Sequence, residues 1–91
     1  MIVQVREVAD WLRMMNETGV DNWWDSDRDK YDSIMNKIEV LCTPEEKEVF
    51  FGVYVNKDKT CVNVFNRKPW YCYKILNALE YKISRIYTEE F

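Results

Sequence analysis

The sequence predicts a small α+β domain: two N-terminal helices, a two-stranded antiparallel β-hairpin and a long C-terminal helix. Three observations support this prediction. Apolar residues recur at helical spacing in three segments, the run 49–55 is dense in β-branched and aromatic residues, and turn-forming residues 56–59 separate it from a second such run. A lone hairpin is marginal in water, so the helices are expected to cover its apolar face. At 91 residues the chain is expected to form one domain, 1–91.

Two amphipathic helices are predicted in the N-terminal half. The first covers about Gln4 to Thr18 and ends at Gly19, a residue that suits the left-handed conformation of a helix C-cap. Its apolar stripe has helical spacing and consists of Val5, Val8, Leu12 and Met15. The second helix begins near Ser26, whose hydroxyl can cap the first turn. Its apolar face consists of Tyr31, Ile34, Met35, Ile38, Leu41 and Cys42.

The hairpin is predicted from Val49–Val55 and Thr60–Phe65. Met1–Val3 or a partner can add a third strand, and the open edges allow pairing between copies. Residues 43–46 form a helix-start pattern, with an N-cap Thr, Pro at the first helical position and Glu placed to close a capping box. One helical turn followed by a strand reconciles the two patterns, and a longer helix through Phe51 is the alternative.

The last helix is predicted from about Pro69 to Thr88, because Pro cannot donate a hydrogen bond to the preceding strand ladder. Its core stripe consists of Cys72, Ile75, Leu76, Leu79, Ile83 and Ile86. Residues 89–91 are expected to fray, since acids near a helix C-terminus oppose the helix dipole.

The residue types present argue against catalysis. The chain has no His, its serines are outside any nucleophile-elbow pattern, and its two glycines belong to no phosphate-binding loop. Cys42, Cys61 and Cys72 lack zinc-site spacing. The alternating carboxylates of 25–29 match the first half of an EF-hand loop, but Lys30 stands where that loop needs Gly. The sequence therefore predicts neither an enzyme nor a bound metal or cofactor.

The predicted compartment is the cytoplasm. There is no secretory signal pattern and no apolar run long enough to cross a membrane. Three cysteines without CxxC spacing fit buried thiols in a reducing compartment better than a disulfide framework.

Charge is distributed unevenly along the chain. The net charge is −3, but residues 1–48 hold twelve acids and six bases, whereas residues 49–91 hold four acids and seven bases. Aromatic residues make up 15% of the chain, which is more than a core of this size is expected to hide. Both features favour contact with another macromolecule.

The first predicted contact surface lies in the connector between the N-terminal helices. Two consecutive Trp on an irregular segment cannot easily both point inward. One interpretation is that one Trp anchors the connector and the other partly covers it. The functional interpretation is an exposed Trp ringed by carboxylates, which suits a basic protein partner such as a nucleic-acid-binding protein. The residues of this acidic Trp patch are Trp23, Trp24, Asp25, Asp27 and Asp29.

A second predicted contact surface lies on the last helix, offset from its core stripe. It consists of Trp70, Tyr73, Asn77 and Tyr81, at positions i, i+3, i+7 and i+11. One interpretation is a helix packed on two sides, with the Tyr hydroxyls reaching water. The other is a docking surface for a protein partner or for a second copy of the chain, in a homodimer.

A nucleic-acid-binding alternative depends on the hairpin. Helices followed by a hairpin with a basic tip resemble the winged-helix arrangement, and the run 6–12 resembles the opening helix of small excisionase-type regulators. This resemblance implies nucleic-acid binding through Lys57, Lys59, Arg67 and Lys68. Direct nucleic-acid binding is the less favoured hypothesis, because Asp27 and Asp29 begin the helix that would face the phosphates.

The favoured function is a non-enzymatic protein-interaction module, a small inhibitor or regulatory accessory protein that blocks a surface on a larger partner. In composition and size the chain is similar to phage-encoded inhibitors of bacterial defence or transcription, including anti-CRISPR proteins. The resemblance implies steric blocking or mimicry as the mechanism.

Overall fold

The computed structural model describes residues 2–57 and 69–91, and every regular element within these ranges is helical. A 3₁₀ turn, Val20–Asn22, connects the first two helices, and the third helix continues directly into a π-helical segment, Phe50–Val55. The helices are α1 (Ile2–Thr18), α2 (Asp25–Leu41), α3 (Pro44–Val49) and α4 (Pro69–Glu90).

The predicted α+β class is therefore wrong for the described part of the chain, which is all-α. Val49–Val55, predicted as the first strand, ends α3 and forms the π-helical segment. Ile2 and Val3 belong to α1 and are not available as a third strand. The predicted second strand, Thr60–Phe65, lies outside the described residues. The β-hairpin on which the winged-helix resemblance depends therefore has no first strand in the structure.

The capping box explains why the chain enters a helix at this point. The Thr43 side chain accepts a hydrogen bond from the Glu46 amide at 3.2 Å, and the Glu46 carboxylate accepts one from the Thr43 amide at 2.8 Å. Once the helix has begun, Val49, Phe50 and Val55 bury their side chains in the core. This packing outweighs the β preference of individual residues, which is a weak and context-dependent term.

The core lies between α1, α4 and the α3–π segment, with α2 covering one side. The Tyr87 hydroxyl of α4 donates a hydrogen bond to the Glu7 carboxylate of α1, and the Phe91 ring packs edge-on against Trp11, so α1 and α4 run in the same direction. The residues that fill the core are mostly aliphatic: Val5, Val8, Ala9, Leu12, Ile34, Ile38, Cys42, Val49, Phe50, Val55, Leu79, Ile83 and Ile86.

The other predicted helices are confirmed to within about two residues at each end, which is the usual uncertainty of helix boundaries. Gly19 follows α1 with φ 88°, in the region that favours glycine. The apolar stripe predicted for α1 is confirmed as buried, from Val5 to Met15.

The predicted frayed C-terminus is wrong. Lys37 forms salt bridges with Glu89 at 2.7 Å and Glu90 at 2.6 Å, and Ser33 donates a hydrogen bond to Glu90. The Lys30 ammonium lies 3.8 Å from the centre of the Phe91 ring. These contacts pair the end of α4 with α2, which runs antiparallel to it, and outweigh the unfavourable dipole term.

Candidate functional site

Among the described residues, the most extensive exposed aromatic surface lies on α4, on the side opposite the core. Trp70, Tyr73 and Tyr81 are 65%, 65% and 64% exposed, and Asn77 between them is also exposed. The four residues follow the outward side of the helix for about 16 Å at 1.5 Å per residue. A helix packed on both sides would cover these rings, so their exposure argues against the interpretation of α4 as a helix packed on two sides.

Two cations share this surface. By helical spacing, Lys74 and Arg85 lie on the same side as Tyr81, and both are exposed. Neither forms a salt bridge with any residue in the described ranges. We call the set Trp70, Tyr73, Lys74, Asn77, Tyr81 and Arg85 the α4 face.

Hydrogen-bond donors dominate the α4 face. An indole N–H, an ammonium and a guanidinium can only donate, and a phenol and an amide carry donors as well. Glu80, three residues after Asn77 and seven after Tyr73, flanks the face at its Tyr73 edge and is the carboxylate nearest to it along α4. The chemistry of the face therefore suits a ligand that supplies acceptors and some apolar surface.

The two neighbouring Trp of the connector have different environments. The Trp23 indole N–H donates to the Met15 carbonyl at 2.9 Å, and its ring centre lies 4.6 Å from that of Tyr31. Trp24 is 79% exposed and occupies the N-cap of α2 without a side-chain capping bond. Trp23 therefore anchors the connector, and Trp24 is left in solvent.

The carboxylates that follow Trp24 lie mainly on the outer side of α2. Asp25 and Asp29 are exposed, whereas Asp27 is half-buried. The two cations next to them in the sequence form no salt bridge with these carboxylates. Arg28 reaches the Val20 carbonyl at 3.5 Å, and Lys30 packs against the rings of Trp11 and Phe91.

The structure does not bring the two predicted surfaces together. The first half of α2 lies beside the C-terminal end of α4, where Lys30 meets Phe91. Trp70 is twenty residues before Glu90, about 30 Å away along the helix axis.

Sequence reasoning missed three residues that share these surfaces. Asp32 is exposed and lies three and seven residues after Asp29 and Asp25, a spacing that could have found it. On α4, Lys74 lies four residues after Trp70 and Arg85 lies four residues after Tyr81. The i, i+4 spacing therefore identifies both from the sequence.

Of the basic residues proposed for nucleic-acid binding, only Lys57 lies within the described ranges. It is exposed and follows the π-helical segment with φ 57°, an uncommon conformation for a residue with a Cβ. Lys59, Arg67 and Lys68 lie outside the described residues.

Within residues 2–57 and 69–91, one shallow groove of about 330 Å³ is lined by Arg6, Asp10 and Lys57, and another of about 410 Å³ is lined by Glu45, Glu46 and Lys74. Their carboxylates already have partners: Asp10 binds Arg13, Glu45 accepts a hydrogen bond from Tyr71, and Glu46 binds Lys82. The described residues contain no group of three or more His, Cys, Asp or Glu placed to hold a metal ion. The grooves therefore offer little for acid–base chemistry.

Cys42 is the thiol whose environment is most clearly perturbed. Burial raises its pKa to about 11, and the negative charge of Glu46 acts in the same direction. At neutral pH the thiol is therefore almost entirely protonated, a state with little nucleophilic reactivity.

Comparisons of the chain with protein-family models, with curated proteins and with solved structures found no match. In the part of the chain that the structure describes, no helix combines the length and the apolar character that crossing a membrane requires.

Proposed function

We propose that this chain is a cytoplasmic, non-enzymatic protein-interaction module, a small inhibitor or regulatory accessory protein that occupies a surface on a larger partner. The observation that carries the proposal is the α4 face, on which three large rings are about two-thirds exposed. Exposed Trp and Tyr provide contact area at low entropic cost and are enriched at interfaces. The similarity of size and composition to phage-encoded inhibitors supports a blocking role.

A second copy of the chain fits the α4 face less well than a different partner. In a two-fold symmetric dimer the face would meet an identical face. If the two α4 helices paired antiparallel about their midpoint, Lys74 would approach Arg85 of the other copy, and Glu80 at the edge of each face would offset only part of this repulsion.

Trp24 and its neighbouring acids support a second contact with the same or another partner. An indole that is 79% exposed, followed by Asp25 and Asp29 without a salt bridge to described residues, matches a basic protein surface. The partner proposed for this patch is a basic protein, such as one that binds nucleic acid.

Affinity capture from lysate of the source cells, quantified by mass spectrometry, tests the proposal. We expect a Trp70→Ala/Tyr73→Ala chain to lose most of a captured protein, because two anchors of the face are removed. Val40→Ala is the matched control, since Val40 is 83% exposed on α2, away from both surfaces. Full capture by the α4 variant, with its helical circular dichroism intact, would overturn the proposal.

A further inference from the structure

The α4 face has a definite chemical preference, and this inference rests on the function proposed above. Its cations, Lys74 and Arg85, are exposed and have no salt bridge within the described ranges. Lys37, Lys47 and Lys82 each bind a carboxylate, whereas Arg6, Arg28 and Lys57 are also exposed without a salt bridge to described residues but lie away from the exposed rings of α4. Lys74 lines a groove together with Glu45 and Glu46, and Glu80 flanks the face, but no carboxylate in the described ranges forms a salt bridge with either cation.

The positions of these charges define a ligand of limited length. Lys74 and Arg85 are eleven residues apart, about 16 Å along the helix, with Tyr81 and Asn77 between them. Trp70 and Tyr73 add apolar area at one end. A ligand that pairs with both cations must place acidic groups about three helical turns apart and present apolar side chains between them.

We propose that the α4 face docks an acidic segment of a partner protein. Partner carboxylates would bind Lys74 and Arg85, and the Tyr hydroxyls and Trp indole N–H would donate to further acceptors. Apolar side chains of the segment would pack on the rings of Trp70, Tyr73 and Tyr81, where most of the affinity arises.

A nucleic acid offers acceptors too, but fits this surface less well. Single-stranded nucleic acids usually bind in a positively charged groove that follows the backbone, whereas the α4 face lies on a convex helix with two cations. The whole chain carries a net charge of −3, so a long polyanion would be repelled at a distance. A short acidic peptide with apolar anchors brings less charge.

Fluorescence anisotropy with labelled probes tests the inference directly. The probes are a 14-residue Glu/Leu amphipathic peptide, the same peptide with Gln in place of Glu, and an oligothymidylate of equal length. At low salt we expect the Glu/Leu peptide to bind at least tenfold more tightly than either of the other probes, because only it offers both carboxylates and apolar anchors.

Two charge variants separate a local site from a net-charge effect. Lys74→Gln/Arg85→Gln is expected to weaken binding of the Glu/Leu peptide at least fivefold. Arg6→Gln/Arg28→Gln removes the same charge from exposed positions on α1 and α2 and is expected to change binding less than twofold. Tyr73→Ala is expected to weaken binding without any change in charge.

Four results would overturn the inference. The first is that the Glu/Leu peptide does not bind, and the second is that both charge variants lose the same fraction of peptide affinity. The third is that the oligothymidylate binds more tightly than the Glu/Leu peptide. The fourth is a concentration-dependent dimer in analytical ultracentrifugation that Trp70→Ala abolishes. Failure of the peptide to bind would not contradict the function proposed above, because the lysate capture experiment does not depend on the charge of the partner. A chain that captures a protein through α4 yet ignores the acidic peptide would therefore contradict only this inference.

Discussion

Glu46 is the charged side chain that folding buries most completely among the described residues, with 3% of it exposed. A buried carboxylate is costly unless it is paired and hydrogen-bonded. Here the Lys82 ammonium lies 2.6 Å from Oε1 of Glu46, and the Thr43 amide donates to the same atom. One side chain thus begins α3 and joins it to α4.

Lys82→Met should reveal the cost of leaving this carboxylate without its cation. We expect the free energy of unfolding to fall by about 2 kcal/mol, at the lower end for a broken buried pair because Lys82 is itself partly exposed. Lys47→Met is the matched control, since its partner Glu39 is largely exposed, and should cost less than about 1 kcal/mol. Urea denaturation measures both, and equal losses would contradict the role given to Glu46.

At the scale of the helices, the end of α4 shows how tertiary contacts overrule a local rule. Acids in the last turn oppose the helix dipole, yet Glu89 and Glu90 both bind Lys37. The Lys37 hydrogen bond, followed by that of Ser33, lowers the pKa of Glu90. The same contacts raise the pKa of Lys37, chiefly through its hydrogen bond with Glu89.

Glu90→Gln should therefore have a pH-dependent cost. Because the pKa of Glu90 is lower in the folded than in the unfolded chain, its stabilisation is present above about pH 4.5 and is lost as the pH falls through the folded value. We expect a loss of about 1 kcal/mol at pH 7 and a smaller loss at pH 3. Glu17→Gln is the control, because Glu17 is exposed on α1. Denaturation at both pH values measures the difference, and a pH-independent cost would contradict the ion pair.

The helices that the sequence predicted well are those whose signal is local. The 3.6-residue period identified α1, α2 and α4, because an apolar stripe depends on spacing within one segment. The run 49–55 was misread because its β-branched and aromatic residues suit a strand equally well. The capping box at 43–46 was the better guide, since it specifies a helix start through two reciprocal hydrogen bonds.

At the scale of the whole molecule, the spacing of aromatic residues on α4 was predictable but their exposure was not. Exposure depends on whether another element covers that side of the helix, and α1, α2 and α3 pack on its other sides. The different environments of Trp23 and Trp24 also depend on tertiary contacts, here with Met15 and Tyr31. No pattern within the connector distinguishes the two indoles.

The molecule that results has opposite charge on two separate surfaces. Asp25, Asp29 and Asp32 line the outer side of α2, where the neighbouring Lys30 packs on Phe91 and the exposed Arg28 reaches the Val20 carbonyl. Lys74 and Arg85 are on α4. Neither surface is needed to fill the core, which is built mainly from aliphatic side chains and Phe50.

This separation of core from surface predicts that the exposed rings contribute little to folding. A chain with Trp24, Trp70, Tyr73 and Tyr81 all replaced by Ala should keep its free energy of unfolding within about 1 kcal/mol. The lost contact between Trp70 and Tyr71 is offset by the higher helix propensity of Ala. Trp23→Ala alone should cost about 2–3 kcal/mol, because it removes the hydrogen bond to Met15 and the packing on Tyr31.

Guanidinium denaturation of both chains, followed by circular dichroism, measures these two costs. If the fourfold variant lost as much stability as Trp23→Ala, the exposed rings would be structural, and the case for α4 as a contact surface would fail. If it kept its stability, the exposure of four large rings would have no explanation in folding. That outcome is the one that the proposal of α4 as a contact surface requires.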